Sequence, residues 1–575
     1  MDYNDRAKKS PYNLENEIFS FNEKIEEKLE LRKKHNLNII MAHRKKRILS
    51  SAKNEAENKG NYLVIDNKDL NNSQNDFLLN ENDILLKLPS LNNINHNIKQ
   101  ILQYLSSDNI EEIKWIIHSL RLFFQNYNIP YEEYSVLFEN EINKKFESLL
   151  KKYQHSNCIV NEILFIIANF YDNDEIVNKY PNKYFECFLN DDYFSIYENI
   201  ILFQEEELVN SILILLRNIL LEKKKLINYT FFNKQMILIN LIEFIKDKSN
   251  VSIEIIKNFI LLLSVIFQGI KNNNINDSDY FITILNTIII IYKNIISQNQ
   301  KNILIIKHIL YVFKNAITCK VNDENENDEY FVINYLFNGS NKHNQFIFYL
   351  FENILKDIKF YISDNSLIFI LLDLLCEISY NANKYQINLL IDYRFLDILN
   401  IIINKIENFK IIEKIIEASN NIINSGSDFA KYYVKSKVFN SLIKYYSMNM
   451  SNSKIVFYFL NMFKILLINN DIEIADNMKK RGIIKDGIFD TLKYCNNNKN
   501  SIEKEILFHK CDIVSKYFQT VYNPNLENNG FDKEDYLLCY NFKEMLLLHQ
   551  LDISDEYIEM LLHLDYMNCI ENIND

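Results

Sequence analysis

The densest cluster of charge that could bind a partner lies near the start of the chain, between Glu27 and Arg47. Two basic blocks, Arg32–Lys34 and Arg44–Arg47, are separated by a mainly uncharged stretch. Cations spread along one segment can make charge-assisted hydrogen bonds with an acidic surface. A run of this kind is also typical of a solvated charged segment or of a generic nuclear-localisation sequence. The basic run therefore leaves these interpretations open.

The chain as a whole is acidic, with 64 Lys and Arg residues against 76 Asp and Glu residues and a formal net charge of -12. A surface of this sign repels phosphate backbones, so we expect no direct nucleic-acid binding by the body of the protein. An acidic body suits a basic ligand instead.

The residue patterns of common enzyme sites are absent from the sequence. It contains no GxxxxGK[ST], no GxGxxG and no HExxH motif, and its 10 histidines show no metal-ligand spacing. His509 and Cys511 are two residues apart on a predicted helix and are interpreted as structural. The eight cysteines include no CxxC pair, which is typical of reduced thiols inside a cell. We therefore predict neither an enzyme nor a metal or cofactor site.

Helix-like segments that end in an amide or an aromatic residue recur along the chain. The step from Asn169 to Asn218 is 49 residues and the step from Tyr380 to Asn421 is 41, while Asn218 to Asn315 is 97, about two periods. Steps of roughly 40–47 residues are the period of HEAT and armadillo arrays. Such repeats bury their apolar faces only against their neighbours, which produces a solenoid with an extended binding surface.

Composition and patterning agree with this interpretation. The chain has 575 residues, of which 48% are hydrophobic and only 7 are Gly and 5 are Pro, which favours helices joined by polar loops. Polar residues 1–95 predict a disordered basic arm and linker, with a possible helix over about 22–54. Residues 96–525 carry helical periodicity, and residues 526–575 predict an acidic helical cap or tail. The polar segment Met1–Ser20 is unlike a secretory signal, and runs such as Phe259–Phe267 are shorter than the roughly 20 residues that span a bilayer. We expect a soluble protein of the cytoplasm or nucleus, without membrane insertion.

The basic run and the array together resemble the importin α family, the armadillo-repeat adaptors of nuclear import. Leu31 followed by two basic blocks looks like the importin-β-binding segment of that family, and the third basic cluster that the family carries is reduced to Lys53. The resemblance assigns the arm contacts to seven residues. They are Arg32, Lys33, Lys34, Arg44, Lys45, Lys46 and Arg47.

The resemblance also implies a peptide-binding groove on the third helix of each repeat. In the family, an Asn amide holds the backbone of an extended peptide, aromatic rings pack on Lys and Arg stems, and carboxylates receive their charged tips. The matching amides here are Asn169, Asn218, Asn315 and Asn421. The matching aromatic residues are Phe165, Tyr311, Tyr380 (with Cys376 in the place of a Trp) and Phe508, and the matching carboxylates are Glu222, Glu505 and, more loosely, Asp428.

The resemblance implies an all-α, right-handed superhelical armadillo solenoid that shuttles between cytoplasm and nucleus. Its partners would be importin β, cargo proteins with basic localisation signals and an export factor at the C-terminal region, where capping of the solenoid is the preferred alternative. Besides its weak third basic cluster, the chain departs from the family in its tryptophans. Its one tryptophan, Trp115, lies outside the groove pattern and is interpreted as a packing residue. An armadillo scaffold that has lost cargo binding is therefore the alternative function, and a solenoid-type regulatory subunit of an enzyme is a third.

Overall fold

The computed structural model describes fifteen stretches of the chain, which are residues 94–124, 131–171, 187–188, 190–222, 235–247, 251–270, 274–275, 277–297, 301–323, 326–328, 330–338, 345–406, 408–468, 470–489 and 501–521. The chain divides into two units, residues 1–85 and 86–575, and every described residue belongs to the second. The predicted arm, including Arg32–Lys34 and Arg44–Arg47, lies outside the described residues. So does the predicted tail 526–575.

Helices make up most of the described residues of this unit. The first part contains α1 (Ile94–Leu105), α2 (Ile110–Phe124), α3 (Tyr131–Glu139), α4 (Ile142–Lys152), α5 (Asn157–Tyr171), α6 (Asp191–Leu202), α7 (Glu206–Glu222), α8 (Gln235–Asp247), α9 (Ile253–Gly269), β1 (Asn274–Ile275), α10 (Ser278–Ser297) and α11 (Ile303–Ile317). The second part contains β2 (Lys320–Asp323), β3 (Glu326–Asp328), α12 (Phe331–Phe337), α13 (Phe346–Lys356), α14 (Ile358–Ile362), α15 (Asn365–Asn381), α16 (Lys384–Asp392), α17 (Phe395–Ile403), α18 (Phe409–Asn424), α19 (Ser427–Val434), α20 (Lys437–Met448), α21 (Ser453–Leu467), α22 (Ile472–Lys480), a π-helical turn (Ile483–Phe489) and α23 (Ser501–Val521).

The helices repeat in threes, which the set α16, α17 and α18 illustrates and the set α19, α20 and α21 repeats. The last helix of each set packs against its counterpart in the next, which gives one continuous row of α2, α5, α7, α9, α11, α15, α18, α21 and α23. We call it the third-helix row. The middle helices form a parallel row through contacts such as α4 with α6, α6 with α8 and α17 with α20. Three helices per repeat distinguish an armadillo array from a two-helix HEAT array. The all-α solenoid prediction is confirmed, and its repeats are of the armadillo type.

Asparagine side chains in the loops between the helices cap the helix N-termini. The Asn302 side chain accepts a hydrogen bond from the Ile305 amide at the start of α11, and the Asn452 side chain accepts from Ile455 at the start of α21. Asn383 forms a reciprocal capping box with Gln386 at the start of α16. These bonds satisfy backbone donors that have no partner inside the helix. The compositional bias toward Asn therefore supplies helix-start signals as well as loops.

The core runs along the whole array and contains large aromatic residues. Tyr292 and Tyr361 are fully buried, and their hydroxyls are 2.8 Å apart, so each phenol has a polar partner inside the core. Trp115 is only 8% exposed and packs edge-on against His118 in α2. Its predicted packing role is confirmed.

Two of the polar segments between helices hold short strands that the sequence did not indicate. β1 pairs in parallel with β2, and β2 pairs antiparallel with β3, inside the breaks around 272–279 and 322–329. Strands of two to four residues are too short to show the alternation by which strands are recognised in a sequence.

One helix in the described part of the chain, α10, is long and apolar enough to span a membrane. This differs from the expectation that every apolar run would be too short. Because 56% of its apolar window is buried inside the protein, α10 has the character of a core helix.

Candidate protein-binding surface

The open side of the third-helix row carries half-exposed or exposed side chains at helical spacing. On most of the helices they recur every three or four residues, so they form one stripe along each helix. We call the set of stripes the row face. It comprises Lys114, His118 and Arg121 on α2; Glu162, Phe165 and Asn169 on α5; Asn210, Ile214 and Arg217 on α7; Lys257, Val265 and Gln268 on α9; Lys307, Tyr311 and Lys314 on α11; Phe369, Asp373, Glu377 and Tyr380 on α15; Glu413, Lys414, Glu417 and Asn421 on α18; Phe457, Asn461 and Lys464 on α21; and His509, Asp512 and Lys516 on α23.

The structure brings half of the predicted groove residues onto this surface. The five are Phe165, Asn169, Tyr311, Tyr380 and Asn421. Two predicted amides, Asn218 and Asn315, lie on the same row of helices but are buried there. The remaining three, Glu222, Glu505 and Phe508, belong to α7 and α23, and their side chains lie outside the described part. Asp428 is on α19, a first helix of its repeat, and therefore away from the row.

Two of the four predicted groove amides, Asn218 and Asn421, join neighbouring third helices. The side-chain nitrogen of Asn218 donates to the carbonyl oxygen of Ala168 in α5 at 3.3 Å. The side-chain nitrogen of Asn421 donates to the carbonyl oxygen of Cys376 and to the hydroxyl of Ser379 in α15, both at 3.1 Å. An amide that donates in this way satisfies backbone acceptors inside the fold. These two residues are therefore engaged within the protein.

Asn315 and Asn169 are arranged differently. Asn315 is 3% exposed, and the Nδ2 atoms of both residues are buried without a hydrogen-bond partner among the described residues. The two amides thus lack the bond to the preceding third helix that Asn218 and Asn421 make.

Three of the row-face carboxylates are paired with cations of neighbouring third helices. Glu162 on α5 lies 2.6 Å from the Arg121 guanidinium on α2. Asp512 on α23 lies 2.7 Å from the Lys464 ammonium on α21. These two carboxylates are therefore already in contact with cations of the same chain.

Asp373 joins three consecutive third helices. Its carboxylate on α15 lies 2.5 Å from the Lys314 ammonium on α11 and 3.0 Å from the Lys414 ammonium on α18. Burial by itself would raise the pKa of Asp373, but the attraction of the two lysines outweighs it and the pKa is lowered. Lys414 also lies 2.9 Å from Glu417. We call Asp373, Lys314 and Lys414 the Asp373 clamp.

The aromatic rings of the row face are also partly occupied. The Arg121 guanidinium lies 5.7 Å from the centre of the Phe165 ring, within the range of a cation–π contact. Tyr380, in contrast, is 75% exposed at the end of α15. Its ring is accessible to a partner.

Sequence reasoning did not identify the cations of this surface. Arg121, Arg217, Lys314 and Lys464 each occupy the twelfth residue of a third helix, those that begin at residues 110, 206, 303 and 453. Two of them directly precede a predicted groove amide, in Arg217–Asn218 and Lys314–Asn315. This adjacency was visible in the sequence, whereas the pairing with carboxylates 41 to 59 residues away was not.

Three features of the described residues bear on the binding of a small molecule or a metal. A depression of about 150 Å³ between α4 and α6, beside Lys151 and Asp192, is smaller than typical ligand pockets of about 300–1,000 Å³. Within the described ranges, no group of three or more His, Cys, Asp or Glu residues could hold a metal ion. Burial raises the pKa of the Cys187 thiol to about 12, which makes it a poor nucleophile at neutral pH.

No protein-family model matches the sequence, and no curated protein matches it either. Among solved structures, the chain is similar to an engineered protein of the Northeast Structural Genomics Consortium, with a TM-score of 0.52 and 12% identity over 83% of this chain and 99% of that chain. It is also similar to a chain from a study of a phosphorylation switch that controls the interaction between cadherin and β-catenin (TM-score 0.49, 10% identity, 74% and 76% covered). A designed armadillo-repeat protein matches with a TM-score of 0.30 and 16% identity, over 45% of this chain and 98% of that chain. At these identities the first likeness supports the fold alone.

Proposed function

We propose that this chain is a protein-interaction scaffold that binds an extended polypeptide segment along the row face. The observation that carries the proposal is the continuous third-helix row, on which half-exposed aromatic, amide and charged side chains recur from α2 to α23. Repetition of this kind offers an extended ligand a series of similar contacts. A peptide that crosses from α7 to α15 passes three helix spacings of about 8–10 Å, or about nine extended residues.

Nuclear import is the more specific candidate, and the split basic arm favours it. In this function Arg32–Lys34 and Arg44–Arg47 bind importin β, the row face binds basic localisation signals of cargo, and the protein shuttles between cytoplasm and nucleus. To bind the lysines of a basic signal, the row-face carboxylates must release the cations that they contact in this structure. Because Glu162, Asp373 and Asp512 contact cations of the same chain, the geometry favours the scaffold over the adaptor.

Peptide binding to the full-length chain tests the scaffold proposal. The probes are fluorescent extended peptides of three kinds, rich in lysine, in glutamate or in uncharged polar residues, and the readout is fluorescence anisotropy. Tyr380→Ala should weaken binding of at least one probe about tenfold, because exposed aromatic residues are frequent hot spots. Tyr432→Ala is the matched control, since Tyr432 is an exposed tyrosine on α19, outside the row face. If no probe binds, or if both variants bind as the unmodified chain does, the scaffold proposal is wrong.

Binding of importin β tests the adaptor function separately. Charge reversal of Lys45 and Lys46 to Glu should abolish the interaction, whereas the same change at Lys8 and Lys9 should leave it intact. Absence of importin β binding by the unmodified chain would refute the adaptor function and leave the scaffold proposal standing.

A further inference from the structure

Side-chain bonds connect most neighbouring helices of the third-helix row. We call each contact between two such helices a seam. The Arg121–Glu162 ion pair joins α2 to α5, and the Asn218 amide joins α7 to α5. Asn258 on α9 donates to the Asn210 side chain on α7 at 2.7 Å. These bonds are directional, so a shift of one helix past the other would weaken them.

The seams on the C-terminal side are connected in the same way. The Asp373 clamp joins α11, α15 and α18 through its two ion pairs. The Tyr458 hydroxyl on α21 donates to the Glu413 carboxylate on α18, and Lys464 on α21 pairs with Asp512 on α23. The third helices therefore form two internally bonded groups, the first from α2 to α9 and the second from α11 to α23.

The seam between α9 and α11 differs from the others, because the polar side chains of α9 are engaged elsewhere. Glu254 and Lys257 pair with each other at 3.0 Å, and the Ser264 hydroxyl donates to a carbonyl oxygen of its own helix. Asn258 donates to α7, and the fifth polar side chain, Gln268, has no hydrogen bond or ion pair within the described residues. In the described part of the chain, no polar side chain of α9 therefore bonds to α11.

The α9–α11 seam also contains a buried amide without a partner. Asn315 on α11 is 3% exposed, and its Nδ2 atom has no hydrogen-bond partner among the described residues. Asn315 is the thirteenth residue of its helix, as Asn218 and Asn421 are of theirs. Those two amides each donate to the carbonyl oxygen of the twelfth residue of the preceding third helix. The equivalent acceptor for Asn315 is the carbonyl oxygen of Ser264, the twelfth residue of α9.

The α2–α5 seam shows that a missing amide bond alone does not leave a seam unconnected. Asn169 on α5 also has an Nδ2 atom without a partner among the described residues. There, however, the Arg121–Glu162 ion pair joins the two helices at 2.6 Å. The α9–α11 seam has neither the amide bond nor an ion pair from α9.

The C-terminal ends of α9 and α11 are held together by the short strands that follow them. β1 follows α9 and pairs in parallel with β2, which follows α11. Beside this pair, the Cys319 thiol donates to the carbonyl oxygen of Ile270 at 3.6 Å. Along the helices, in contrast, apolar side chains provide the packing, and apolar packing is non-directional and permits sliding. One end of the seam is thus tied more firmly than the rest.

We propose that the α9–α11 seam is a hinge between the two groups of third helices, with the β1–β2 pair as its pivot. In a second position of this hinge, Asn315 donates to the carbonyl oxygen of Ser264, as the equivalent amides do in the bonded seams. The second position therefore satisfies a buried donor that the present position leaves unsatisfied.

The hinge crosses the row face, so it sets the spacing between the parts of this face on α9 and α11. A ligand that contacts both parts selects the position in which it binds more tightly. The inference concerns the packing of the chain itself, so it goes beyond the scaffold function and does not depend on it.

Distances between spin labels on the full-length chain test the hinge. The labels are carried by an unnatural amino acid, because the chain has eight cysteines. Exposed residues of the middle helices form three pairs, each with one intervening middle helix. The pairs are Lys144 on α4 with Glu243 on α8, Glu243 with Glu352 on α13, and Glu352 with Lys444 on α20. Double electron–electron resonance should give a distance distribution at least about twice as broad for the second pair as for the other two, because it alone spans the hinge.

Removal of the buried donor tests the role assigned to Asn315. Asn315→Leu replaces the amide by an apolar group of similar size, and should narrow the distribution of the second pair to the width of the other two. Asn421→Leu is the matched control, since it makes the same change at the equivalent position of α18 and should leave the second pair broad. Asn315→Ala, checked for an unchanged thermal unfolding midpoint, replaces Asn315→Leu if the latter does not fold.

Two results would overturn the hinge. One is a second pair that is as narrow as the other two in the unmodified chain. The other is a broad second pair that Asn315→Leu and Asn315→Ala both leave unchanged, because the second position then does not depend on the amide. Neither result bears on peptide binding, so the scaffold function is decided by its own test.

Discussion

Removal of the charge at the centre of the Asp373 clamp should destabilise the array substantially. Asp373→Asn keeps the shape of the side chain but leaves Lys314 and Lys414 without their shared carboxylate. The Asp373 side chain is 12% exposed, and the loss of one partner from a buried ion pair costs about 3–5 kcal/mol. Because both lysines keep about a fifth of their surface in water and Lys414 retains Glu417, we expect the lower end, about 3 kcal/mol.

The measurement is urea-induced unfolding of the full-length chain, followed by far-ultraviolet circular dichroism. Glu417→Gln is the matched control, since Glu417 is 51% exposed and its pair with Lys414 should contribute at most about 0.5 kcal/mol. The double variant Asp373→Asn, Lys314→Met should lose less free energy of unfolding than the sum of the losses in the two single variants. The reason is that the double variant no longer contains the Lys314 ammonium that Asp373→Asn leaves without a carboxylate. A loss below about 1 kcal/mol for Asp373→Asn, or one equal to that of Glu417→Gln, would refute the reasoning.

Three further measurements address the packing of the array. Asn421→Ala should lower the free energy of unfolding by about 1–2 kcal/mol, because two acceptors in α15 lose their donor, while Asn424→Ala, an exposed change on the same helix, should stay within about 0.5 kcal/mol in the same urea titration. Tyr446→Phe should cost about 1 kcal/mol, since the buried hydroxyl donates to the carbonyl oxygen of Gly487 at 2.8 Å; an unchanged unfolding midpoint would contradict this. The pKa of Asp373 is lower in the folded state than in the unfolded one. The ionised carboxylate therefore contributes to stability above about pH 4, and this contribution is lost as the pH falls through the pKa of the folded state. Stability should therefore drop in acid, and Asp373→Asn should make that drop shallower; equal slopes would count against the clamp.

The third-helix row was predictable where local patterns are strong. Helices such as α11 and α18 are amphipathic over four turns, and their helical periodicity can be recognised in the sequence alone. The first helices are short, and the strands around β2 are shorter still, so their patterns are too brief to recognise. The predicted aromatic and amide positions Phe165, Asn169 and Tyr311 do lie on one surface, because a residue step close to one repeat returns to the same place on the next helix.

The engagement of those side chains was not predictable. Asn218 and Asn421 were assigned to a peptide on the basis of the resemblance, yet each donates to the preceding third helix. Whether an amide faces a neighbour or solvent depends on a rotation of a few tens of degrees about the helix axis. The pattern of a single helix does not define that rotation.

The sequence by itself determined that the chain is a helical repeat array and which helix faces are apolar, because burial demands a period of 3.6 residues that every turn repeats. Only the tertiary structure decided the electrostatics of the surface. Asp373 meets Lys314 and Lys414 across 59 and 41 residues of chain, and such pairs follow from the register between stacked helices. The charge that the row face presents to a partner therefore depends on packing between repeats.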